Sequence, residues 1–90
     1  MGNREKIRKT SEEDKAIEAA VLQHVLFLHP SPITIEDLSR EIGSGEEAFA
    51  AQDAVERAVR DLAGCGLLRR SDSLVLASRA ALRFDQLLGE

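Results

Sequence analysis

The sequence predicts a mainly α-helical fold carrying one small β-hairpin, in the order helix, short bridge strand, helix, helix, two-stranded hairpin and C-terminal helix. Three observations lead there. Apolar residues recur at three- and four-residue spacing along four stretches, which marks a helix with one buried face. Proline and glycine punctuate the chain between those stretches, at His29-Pro30-Ser31-Pro32, at Gly43, and at Gly64 and Gly66. Two short apolar runs, Leu67-Leu68 and Leu74-Val75-Leu76-Ala77, flank Ser71-Asp72-Ser73, a composition suited to a three-residue hairpin turn.

The first ten residues are polar, charged and without period, and are expected to form a flexible basic arm. Residues 11–90 then make a single domain. Ser11 with Asp14 has the form of a capping box, so the first helix is expected to start there and run to about Leu28. Ile17, Val21, Val25 and Leu28, with Ala20 and His24, form its buried stripe, and Leu22 and Leu26 widen it. That face is wider than one small domain needs, which leaves surface for a partner subunit. The two prolines then stop the helix, because proline lacks an N–H and restricts the residue before it.

Ile33 is the bridge strand. Thr34 is an N-cap with Asp37 at the third helical position, and Ile33 and Leu38 stand where a hydrophobic staple needs them. A short second helix over residues 35–42 buries Ile35, Leu38 and Ile42 and stops at Gly43. The third helix has two possible starts, since Ser44 with Glu47 and Asp53 with Glu56 are both capping boxes. Ala48, Ala51, Val55, Val59 and Leu62 keep one face throughout, which favours a continuous helix from residue 46 to 63. Ser78 caps a final helix from about Arg79, with Ala81, Leu82, Phe84, Leu87 and Leu88 as its apolar set and Gly89 as its end.

Composition bounds the function. Ninety residues lie near the lower size at which one core holds without staples. With 43% apolar and 31% charged residues, the chain has a globular composition. Phe27, Phe49 and Phe84 are its only aromatics, so platforms for stacking single-stranded bases are nearly absent. Cys65 stands alone, which excludes an internal disulfide and fits a reducing compartment. The start lacks the apolar core of a signal peptide, Lys6 breaks a myristoylation pattern, and residues 25–28 are too short a run to span a bilayer. A cytoplasmic location is the expectation.

No arrangement of catalytic residues is evident, and no enzyme activity is expected. His24 falls on an apolar helix face, His29 precedes a proline, and Cys65 reads as a packed thiol between two glycines. These three have no recognised metal-ligand spacing, and Gly43-Ser44-Gly45 lacks the lysine and preceding strand of a phosphate loop. Neither a metal nor a cofactor is expected.

The stretch over residues 53–70, DAVERAVRDLAGCGLLRR, is the most informative. A helix, a glycine stop and then Gly-Leu-Leu-Arg-Arg resembles the third helix and first wing strand of a winged helix-turn-helix domain, similar to many bacterial transcriptional regulators. The resemblance covers about residues 13–88. It implies a winged-helix fold that binds double-stranded DNA, with the third helix in the major groove and the wing along the backbone. The candidate contacts are Arg57 and Arg60 on the helix, Arg69 and Arg70 on the wing, and Arg79 at the head of the last helix. A homodimer through the first helix and the C-terminal helix is also expected, because one domain offers little contact area and the first helix carries surplus apolar surface.

Charge distribution sets a rival against this. The net charge is −4, with a pI near 5.2. Residues 33–61 carry eight acids against three bases, whereas residues 62–83 carry four bases against one acid. Asp53–Arg57 and Glu56–Arg60 are also helix-supporting i,i+4 pairs that would occupy the arginines. The alternative is therefore a winged helix used as a protein–protein interaction module that does not bind DNA.

Overall fold

The computed structural model describes residues 2–43 and 47–89. Among them, helices and strands follow the expected order: α1 (Gly2–Leu28), β1 (Ile33–Thr34), α2 (Ile35–Ile42), α3 (Glu47–Gly64), β2 (Leu68–Ser71), β3 (Leu74–Ala77) and α4 (Arg79–Leu88). The fold is mainly α, with a small antiparallel sheet in the order β1-β3-β2. Among the described residues, no helix is long and apolar enough to cross a membrane.

Helix α1 begins at Gly2, well before the expected start at Ser11, which lies inside it. The stretch ahead of Ser11 is rich in Arg, Lys and Glu. These residues lose little rotamer freedom in a helix, so propensity extends α1 where apolar period does not. At its other end the helix stops before the two prolines, with the His29 N–H still donating to the Val25 carbonyl at 3.1 Å.

Local signals account for the next two elements. Thr34 Oγ1 accepts from the Asp37 N–H at 3.0 Å, the expected cap of α2. Ile33 and Leu38 on either side of that cap are both buried. Ser39, also buried, donates its hydroxyl to the Ile35 carbonyl at 2.9 Å, so this hydroxyl is not left unpaired in the core. Helix α3 is continuous from Glu47, so Asp53 is an interior residue and not a cap. The Ser44 capping position lies outside the described residues.

The end of α3 shows why two glycines are spaced as they are. Gly66 adopts φ +91°, a left-handed conformation that favours glycine. Its N–H donates to the Ala63 carbonyl at 3.2 Å, and the Leu67 N–H donates to the Leu62 carbonyl at 2.9 Å. That pair of bonds is a Schellman motif. The apolar contact that usually accompanies it is supplied by Leu62 and Leu67, which pack in the same core.

The hairpin is tighter than expected. Ser71 pairs with Leu74, so the loop is Asp72-Ser73 alone and Ser71 belongs to β2. This register places Leu68, Val75 and Ala77 together on the buried face; a one-residue slip would turn that face to solvent. Asp72 takes φ 56° to close the loop, which a short polar side chain tolerates.

The core is aliphatic, as the composition requires. Val21 and Val25 from α1, Leu38 from α2, Val55 and Val59 from α3 and Val75 from β3 are its most deeply buried side chains. Ser78 ties α4 to it. Its hydroxyl accepts from the Ala81 N–H at 3.1 Å and donates to the Gly66 carbonyl at 2.6 Å, while its own N–H donates to the Leu67 carbonyl at 3.0 Å. The expected apolar set of α4 is only partly used. Ala81 is buried and Leu82 packs against the core, but Phe84, Leu87 and Leu88 are exposed.

Candidate nucleic-acid interface

Helix α3 turns Val55, Ala58, Val59 and Leu62 into the core, so its intervening positions face outward. Arg57 and Arg60 lie on that outer side. They reach Arg70 because strand side chains alternate: Arg70 shares the inner face of the hairpin with Leu68 and Val75, one pairing short of the turn. Arg57, Arg60 and Arg70 thus line one open cleft of about 460 Å³ between α3 and the hairpin, together with Asp53 and Glu56. Three guanidinium groups face two carboxylates there.

The other candidates diverge. Arg69 pairs across the hairpin with Leu76, so it belongs to the opposite face from Arg70. Arg79 is exposed at the first position of α4 and does not line the cleft. The structure therefore divides the five sequence candidates into a converging three and two outliers.

The competing helix-supporting pairs are not formed. Among the described residues, neither Asp53–Arg57 nor Glu56–Arg60 closes to within 4.0 Å, and Arg57 instead reaches Asp14 of α1 at 3.8 Å. That long contact joins two exposed side chains, a geometry in which ion pairs contribute little. Arg60 has no carboxylate partner among the described residues. Arg70 donates from Nε to the Asp72 carbonyl at 3.3 Å, which anchors its guanidinium at the hairpin turn.

An acidic seam lies behind Arg57. Glu18 of α1 has its pKa raised above the ordinary 4.5, first by burial and then by the charges of Asp61 and Asp14. The protonated Glu18 carboxyl can also share its hydrogen with the Asp61 side chain, which pushes the same way. Arg57 meets this seam through Asp14.

Two single-residue expectations change. His24 is not a core residue: it is partly exposed, with Nε2 3.4 Å from Glu41 Oε1 across the α1–α2 junction. Cys65 is exposed rather than packed, its Sγ lying 3.4 Å from the Leu62 carbonyl. The glycines on either side leave it uncovered at the helix end. No group of three or more His, Cys, Asp or Glu side chains is placed to hold a metal among the described residues.

The surface feature that sequence periodicity did not single out is Phe27, the most exposed large apolar residue described, at 84%. A helical projection contains the signal, because Phe27 falls about 200° from Val25 and so off the buried stripe. Comparison of the chain with protein-family models, with curated proteins and with solved structures returned no match.

Proposed function

We propose that the chain is a small winged-helix DNA-binding protein that acts in transcriptional regulation, contacting the duplex through α3 and the β2–β3 hairpin. The observation that supports this reading is the convergence of Arg57, Arg60 and Arg70 on one open cleft. Guanidinium groups recognise phosphate oxygens with two parallel N–H bonds, and three of them spaced along a cleft suit a backbone that carries a regular series of charges. Asp53 and Glu56 in the same cleft limit how closely it accepts negative charge, so these contacts fix the position of the duplex rather than supply great affinity.

The test is fluorescence anisotropy with mixed-sequence duplexes at low salt. The wild-type chain is expected to bind, and an Arg60→Ala/Arg70→Ala variant to bind at least about tenfold more weakly, since each phosphate contact contributes through counterion release. No binding by the wild type at low salt would overturn the reading. It would leave the protein-interaction module, which the exposed Phe27 beside the acidic helix α2 favours.

A further inference from the structure

The two most exposed apolar features of the described surface lie on α1 and α4. One is Phe27 near the end of α1, 84% exposed, which rises between two adjoining clefts of about 570 and 540 Å³. Both clefts share His24, Phe27 and Glu41; one continues to Pro32 and Asp37, the other to Ala20 and Gln23. The second feature is the far half of α4, where Phe84, Leu87 and Leu88 are 61%, 64% and 69% exposed. Their spacing of three and four residues puts them on one helical face, with Phe84 and Leu88 one and two turns beyond the buried Ala81, past the end of the core. Leaving this much contiguous apolar helix surface in water is unfavourable, and such patches mark interaction sites.

The two features are complementary in charge. A helix that presents apolar residues at i, i+3 and i+4 is the ligand form that apolar grooves accept. Helix α2, which walls the cleft, carries Glu36, Asp37 and Glu41 against one base, Arg40. Helix α4 carries Arg79 and Arg83 against one acid, Asp85. Arg83 sits one helical turn before Leu87 and so borders the apolar face, as Glu41 borders Phe27.

We propose that a second copy of this chain covers the cleft, with the Phe84–Leu87–Leu88 face of its α4 against Phe27 and its Arg83 beside Glu41. The association uses none of the cleft formed by Arg57, Arg60 and Arg70, so it stands or falls separately from DNA binding. It assigns the expected self-association through the first and last helices to a contact between unlike surfaces, not to α4 meeting α4.

Sedimentation equilibrium of the full chain over a wide concentration range tests it, with far-UV circular dichroism confirming that each variant is folded. Wild type is expected to self-associate. Phe27→Ala and Leu87→Ala, on opposite sides of the contact, are each expected to raise the dissociation constant about tenfold or more, as truncation of a central anchor does. Arg83→Glu and Glu41→Lys are each expected to weaken association, and the Arg83→Glu/Glu41→Lys double variant to recover it. A monomer at every concentration would overturn the proposal. So would loss of association in Leu87→Ala with none in Phe27→Ala, because α4 would then be meeting itself. Failure of the double variant to recover would also count against it.

Discussion

At the scale of single residues, the two glycines that close α3 have opposite requirements. Gly64 lies in the last helical position, and a Cβ there would meet nothing within 4 Å. Gly64→Ala should therefore raise stability by about 0.5–1 kcal/mol, through lower unfolded-state entropy and better helix propensity. A Cβ on Gly66 would also meet nothing, but its φ of +91° is one that side chains with a Cβ rarely adopt. Gly66→Ala should cost about 1 kcal/mol or more by backbone strain alone. Urea denaturation of the two variants reads the contrast; equal effects would show that the Schellman closure is not what ends the helix. Glu18 offers a second test, through pH. Its folded pKa lies above its unfolded value, so the folded state holds the proton more tightly. The stability this contributes is fully present below pH 4.5 and is lost as pH rises through the folded pKa. Glu18→Gln should accordingly raise Tm near neutral pH and change it little in acid.

At the scale of elements, the capping signals were readable because they are local. Thr34 with Asp37, and Ser78 ahead of α4, each place a hydroxyl within reach of an N–H three residues on, and both bonds form. Ser78 does more than cap, since its hydroxyl also donates to the Gly66 carbonyl and so locks α4 to the end of α3. Ser78→Ala should destabilise by about 1–2 kcal/mol, more than a cap alone, because a partly buried carbonyl loses its donor as well. Chemical denaturation checks this, with Ser78→Thr expected to retain part of the loss. The features that sequence did not reveal are tertiary. The hairpin loop has two residues rather than three because register is set by which side chains must meet the core, and Val75 has to lie beside Ile33. Periodicity likewise identified an apolar face on α4, but it carries no information on whether the domain supplies a surface to bury it. Phe84, Leu87 and Leu88 extend past that surface.

At the scale of the whole molecule, the order of elements was legible from punctuation and period, and the sheet order follows from a bridge strand at Ile33 pairing with β3. The candidate site was legible only as a set of arginines. That Arg70 joins Arg57 and Arg60 while Arg69 does not depends on strand alternation in the particular register the hairpin adopts, and that register was expected one residue differently. The i,i+4 pairing of Arg57 was equally plausible on a helix alone. It gives way to Asp14 because α1 crosses close to α3.

Whether Arg70 touches phosphate and Arg69 does not can be read from the salt dependence of duplex binding in two single variants. Arg70→Ala should weaken binding and lower the slope of log affinity against log salt by about 0.9, the loss of one phosphate contact. Arg69→Ala, on the other face of the same strand, should leave the slope unchanged. Equal losses in both would mean that the hairpin contributes only general positive charge, contradicting a phosphate contact specific to Arg70.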